Sequence, residues 1–398
     1  MSQPAAEELK AAACGQIDAL RAELLGISRE IHAHPELAFE ERRASALLAS
    51  ALERAGLEVR RGVYGLDTAF ESDFGPEGAA CVALLLEYDA LPGIGHACGH
   101  NLIATAGLGA GLALRSLGAL LPGRVRVLGT PAEEQGCGKE LMAREGAFEG
   151  VAAALMIHPA NVNLVSMPCI AMAELDAVYH GRAAHASAMP ERGINALDAL
   201  VLAYQGIAAL RQHIGRGERV HGIILDGGQA PNVVPERAAG RFYVRAANFE
   251  DLAPLKQRVA GCFQAGAAAT GATLELRWGS ADYREIRYNE PLAQAFQRNA
   301  EALGRQFVPL ERLPASVQGS TDLGNVSYRI PSIHPMLAAA PLHCTIHNAE
   351  FAKWAGSESG DAAALDGAKA LAMTAIDFLC DSDLQQRSRH WFEHGGAT

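Results

Sequence analysis

The sequence predicts an α/β protein: a mostly parallel sheet flanked by helices, interrupted by a smaller α+β domain. Three observations lead there. Short apolar runs at 81–86, 124–128 and 152–157 read as buried strands, with helical patterns between them. Each of these strands ends in a polar cluster, and ligands bind beyond the carboxyl ends of parallel strands, so the clusters are expected at one rim. Near residue 172 the order changes to strand, helix, strand, strand, helix, strand, a split, ferredoxin-like arrangement. Near residue 290 the earlier pattern resumes. The expected division is therefore 1–171 with 290–398 for the larger domain, and 172–289 for the insert.

The elements follow in order. Residues 8–56 read as helices, with Leu20, Leu24, Ile27 and Ile31 at helical spacing and a break at His34-Pro35. A strand is expected over 57–64. The stretch 102–121 is an Ala/Gly/Leu helix. Its GLGAGL at 107 lacks the spacing and the strand-to-helix setting of a dinucleotide loop, and reads as close helix packing. In the insert, strands are expected at 174–180, 220–225, 241–246 and 273–278, and helices at 195–213 and 252–268. A helix at 291–303 returns to the larger domain. A polar GSTDLGN loop (319–325) and an Ala-rich helix (362–379) follow, and the polar tail after Asp381 is expected to fray.

Composition narrows the function. The 398 residues carry a formal net charge of −11 and no basic stripe, which excludes nucleic acid and anionic membranes as partners. No apolar run reaches the roughly 18 residues of a membrane span. The Ala-rich, acidic start has no signal-peptide pattern. Eight scattered cysteines without framework spacing point to reduced thiols and a cytoplasmic setting.

The chemistry concentrates in EYDALPGIGHACGHN, residues 87–101. A buried strand delivers Glu87 and Asp89 to a loop forced by Pro92, Gly93 and Gly95, and the loop carries His96, Cys98 and His100. Thiolate, imidazole and carboxylate together suit zinc and its neighbours. The next strand ends at Glu133-Glu134, and the one after at His158. Adjacent residues on an extended segment point in opposite directions, so the chain must bend for both glutamates to face one site.

Taken in order, DALP, HACGHN, TPAEE, a strand ending in His, GxAAHAS, PNVVPE and a late His before an Ala-rich helix resemble a known family. It is the aminoacylase and glutamate-carboxypeptidase family of co-catalytic metallopeptidases, in its amidohydrolase branch. That branch includes p-aminobenzoyl-glutamate hydrolase, β-alanyl-lysine dipeptidases and indole-acetyl-amino-acid hydrolases. The resemblance covers roughly residues 20–380. It implies two divalent ions per chain, zinc or manganese, held by Cys98, His100, Glu134, His158 and His347. It implies Glu133 as general acid/base and His185 as the group that polarises the scissile carbonyl in the partner subunit's site. Asn232 and Arg245 match the pair that recognises the substrate's carbonyl and carboxylate, and Ser320 and Thr321 are further substrate-binding candidates. The insert becomes a lid and dimerisation domain of a homodimer. Two departures stand out: Asn101 replaces the Asp of many relatives, and Glu87 replaces a ligand His of more distant members. Glu87 and Asp89 are accordingly expected to support the ligands, with direct ligation by Glu87 left open.

The leading reading is a metal-dependent amidohydrolase that cleaves an N-acyl or N-aroyl amino acid or a small dipeptide. Water made more acidic by metal would lose its proton to Glu133, which would return it to the leaving amine. The alternatives are a thiol hydrolase with Cys98 as nucleophile and a non-catalytic metal-binding scaffold.

Overall fold

A computed structural model describes residues 5–312 and 318–395. The chain forms two compact units, 1–168 with 286–398, and 169–285.

The first unit is built on a six-stranded sheet in the spatial order Arg60–Arg61, Phe70–Phe74, Arg124–Gly129, Cys81–Leu86, Ala153–Leu155 and Ser332–Ile333. The last four run parallel, and the first two are added antiparallel. Strand Cys81–Leu86 is buried along its whole length, as its unbroken apolar run requires. Helix His100–Ser116 is buried from His100 to Leu114. Its glycines let it lie close to its neighbours: a Cβ on Gly107 would come within 2.6 Å of Leu86, and one on Gly111 within 2.9 Å of Val127. The GLGAGL stretch is therefore a packing surface.

Three expectations need correction. The strand predicted over 57–64 shrinks to Arg60–Arg61. Phe70–Phe74 (FESDF) is a strand that hydropathy hides, because Glu71 is paired with Arg60 and Asp73 with Arg124 and Arg126. The tail forms helix Ser382–His394 instead of fraying. Leu384 is buried, Trp391 Nε1 donates to Tyr288 O at 2.8 Å, and Asn289 Nδ2 donates to Ser388 O at 2.9 Å.

The second unit is a four-stranded antiparallel sheet, ordered Thr273–Trp278, Ala171–His180, Arg237–Ala246, Arg219–Asp226. Helices Ala196–Leu210 and Phe249–Thr270 accompany it, giving the β-α-β-β-α-β order. Asn195 and Asn248 cap the two helices by accepting their first free amides. The core of this unit centres on Tyr179, Phe242 and Phe263.

Candidate metal and catalytic centre

Cys98 and His100 lie where the loop after the buried strand turns into helix His100–Ser116. Gly99 makes that turn with φ 81°, and a Cβ there would strike Pro159 at 2.6 Å, so glycine is required. Glu133 and Glu134 follow Ala132, a non-glycine residue at φ 59°. This left-handed step is the bend the sequence demanded. The loop closes tightly behind it: Gly138 N donates to Ala132 O, and a Cβ on Gly138 would overlap Pro131 O. His158 opens the short strand His158–Ala160, which pairs in parallel with Met336–Ala338. His347, also at positive φ, is tied to the first loop by its amide, which donates to Ala97 O at 2.8 Å.

These segments converge. One donor atom each from Cys98, His100 and His158 lies within 4.8 Å of the others, and so does one each from Cys98, Glu134 and His347. Cys98 belongs to both groups, with its sulfur 3.4 Å from His158 Nε2 and 3.3 Å from His347 Nε2. His100, Glu133 and Glu134 form a third group. Cys98, His100, Glu133 and His158 are buried, while His347 stays exposed and marks the open side.

The imidazoles are oriented for this. Asp89 Oδ1 lies 3.0 Å from His100 Nδ1, and Pro159 O lies 2.7 Å from His158 Nδ1. Protons on both Nδ1 atoms leave the Nε2 lone pairs facing inward. His100 Nε2 and Glu134 Oε1 are buried without a hydrogen-bond partner among the described residues. Orphaned buried donor atoms in a thiol, imidazole and carboxylate set fit zinc or a neighbouring transition ion.

The electrostatics agree. Burial pushes the Glu133 carboxyl well up, helped by Glu87 and Glu134 beside it. Burial would also raise Asp89, but His100, the Glu134 amide and Lys139 together outweigh it and hold the carboxyl below its ordinary value. Burial drives the Cys98 thiol well up, the opposite of what a free thiolate nucleophile needs.

Three groups here escaped the sequence reading. Lys139 is a fully buried ammonium paired with Glu87 and, at 2.7 Å, with Asp322. Asp322 also accepts the Lys139 amide, so the GSTDLGN stretch is largely buried and runs into helix Leu323–Ser327. The signal was present in that motif's acid, but nothing in the sequence named its partner. Glu41, buried at the start of helix Arg42–Arg54, accepts the Ala132 amide at 2.8 Å. Among the expected substrate residues, Ser320 is half-buried. Thr321 is buried and its hydroxyl accepts the Leu323 amide, so that hydroxyl shapes the turn.

His185, Asn232 and Arg245 lie in the second unit. His185 and Asn232 occupy neighbouring segments: Ala186 N donates to Asn232 O at 3.0 Å. The amides of Ser187 and Ala188 both donate to His185 Nδ1, which puts the proton of the neutral ring on an exposed Nε2. Arg245 is half-buried on strand Arg237–Ala246, its guanidinium 5.8 Å from the Tyr243 ring centre.

A family model for a peptidase dimerisation domain matches residues 170–270. Mouse Xaa-Arg dipeptidase is 40% identical, covering 97% of this chain and 93% of its own. A subunit of Escherichia coli p-aminobenzoyl-glutamate hydrolase is 30% identical, covering 96% and 94%. A Bacillus subtilis structure described as a dinuclear metal binding peptidase of the M20 family shares the fold, with TM-score 0.63, 22% identity and coverage of 91% and 99%. The chain belongs to the M20 peptidase family. Its class of reaction is amide hydrolysis.

Proposed function

We propose that the chain is a dinuclear metallo-dipeptidase or amidohydrolase in which Glu133 is the general acid/base. The reading rests chiefly on the two donor groups that share Cys98, with the Glu133 carboxylate beside them. Cys98, His100, Glu134, His158 and His347 would hold two divalent ions, zinc or manganese. Bound there, the ions would supply Lewis-acid chemistry: a more acidic water and a polarised amide carbonyl. Glu133 accepts a proton from the attacking water and delivers it to the leaving amine. Asp89 and Pro159 O keep the two imidazoles in the required tautomers. In the homodimer, His185 Nε2–H would supply a hydrogen bond to the oxyanion developing in the partner subunit's site, and Asn232 and Arg245 would recognise the substrate's carbonyl and carboxylate.

The substrate class is a small dipeptide or an N-acyl or N-aroyl amino acid, as the activities of Xaa-Arg dipeptidase and p-aminobenzoyl-glutamate hydrolase indicate. The second unit would join two chains as a homodimer. Eight free cysteines fit a reducing, cytoplasmic setting, and no helix among the described residues is long and apolar enough to cross a membrane.

The test is Glu133→Gln assayed on Xaa-Arg dipeptides, p-aminobenzoyl-glutamate and N-acetyl amino acids. Turnover should fall by a factor of about 10² to 10⁴ with metal content unchanged. Near-normal turnover would remove Glu133 from this role.

A further inference from the structure

Residues 35–41 lie outside every ligand-bearing loop, yet they touch both metal-site loops. Glu36 O accepts the Ala90 amide at 2.8 Å, one residue after Asp89. The Phe39 ring fills the space beside Gly136, where a Cβ would meet it at 2.4 Å. Glu41 makes the closest link. Its Oε1 accepts the Ala132 amide at 2.8 Å and the Phe39 amide at 3.0 Å, and its Oε2 accepts the Thr68 hydroxyl at 2.8 Å. The side chain is fully buried. Ala132 is the left-handed residue whose bend turns Glu133 and Glu134 to the same side. Alanine has no intrinsic preference for that conformation, so its surroundings must hold it there: Gly138 N donates to its carbonyl from within the loop, and Glu41 holds its amide from outside.

We propose that Glu41 is a positioning residue for the catalytic carboxylate: its hydrogen bond to the Ala132 amide holds the bend that aims Glu133. The inference rests on the acid/base reading of Glu133. What matters is the reach of Glu41 Oε1 and its capacity to accept. Negative charge is not needed, because a neutral group can donate to Thr68 Oγ1 and still accept both amides.

Two variants separate these properties. Glu41→Gln keeps the reach and loses the charge, whereas Glu41→Asp keeps the charge and withdraws it by one methylene. Glu41→Asp should lower kcat by about 10- to 100-fold with KM and metal content nearly unchanged, because small misplacement of a reacting group costs that much. Glu41→Gln should stay within about threefold of the parent kcat, a spread too small to reflect misplacement on that scale. In metal-free protein, hydrogen exchange at the Ala132 amide should speed up in Glu41→Asp and stay slow in Glu41→Gln. Parent-like kcat in Glu41→Asp, or equal loss in both variants, would overturn the assignment. Glu133→Gln measured alongside keeps the two ideas apart: if that variant still turns over, the acid/base reading has failed. If it is inactive while Glu41→Asp is normal, only the role of Glu41 falls.

Discussion

Asp89 and His100 hydrogen-bond at 3.0 Å with both side chains buried, and the second Asp89 oxygen accepts the Glu134 amide at 2.9 Å. One carboxylate therefore orients two of the expected metal ligands. Both partners are donors once His100 Nε2 faces a metal. Asp89→Asn turns one of the two acceptor oxygens into a donor, so one bond must break. Metal affinity should fall by about 10- to 100-fold, the usual cost of losing such support. Competition against a fluorescent chelator would read this directly, and an unchanged affinity would mean that His100 needs no such support.

Lys139 pairs with both Glu87 and Asp322 where all three are shielded from water, one positive charge shared between two carboxyl groups. Its ammonium stays charged because the surrounding carboxylates outweigh the burial that opposes it. Lys139→Met should destabilise the chain by about 3–5 kcal/mol, since it strands buried carboxylates without a counter-charge. Urea denaturation would measure this, and a loss below about 1 kcal/mol would show that the acids simply take up protons.

Glu41 carries a pH signature. Burial pushes its carboxyl up to about 7 from an ordinary value of 4.5, with Asp89 nearby adding to the effect and Tyr88 also close. The folded chain therefore holds this proton more tightly than the unfolded chain. The associated stability is present at low pH, declines as pH rises from about 4.5 towards 7, and is gone above that. Glu41→Gln should flatten this part of the stability profile. Identical pH dependence in the two proteins would show that Glu41 does not titrate there.

Gly138 sits where a Cβ would fall on Pro131 O. The backbone must move to admit one, and the loop that moves carries Glu133. Gly138→Ala should cost about 1–3 kcal/mol, as overpacking does, and should lower kcat more than it raises KM. Thermal unfolding and steady-state kinetics on the same preparation would check both.

Much of this was legible in the sequence. Periodicity and strand-end polarity located the sheet, the insert and the rim where Cys98, His100, Glu133, Glu134 and His158 gather. The required bend at the glutamates was deducible, though not that Ala132 would make it. Strand Phe70–Phe74 was hidden because polar residues break its apolar run: Glu71 and Ser72 are buried beside Phe70, and Glu71 and Asp73 are paired with arginines. The final helix was missed because its anchoring comes from residues about 100 positions away, such as Tyr288 with Trp391. Lys139, Asp322 and Glu41 were missed for the same reason. A buried charge is recognised by its partner, and the partners lie 183 and 91 residues distant in sequence.

The most direct measurement is the metal content of the purified chain, coupled to chelation and add-back during hydrolysis of an Xaa-Arg dipeptide and p-aminobenzoyl-glutamate. The account predicts about two divalent ions per chain, with activity lost to chelator and restored by zinc or manganese. A metal-free chain that hydrolyses these amides at the same rate with and without chelator would contradict it.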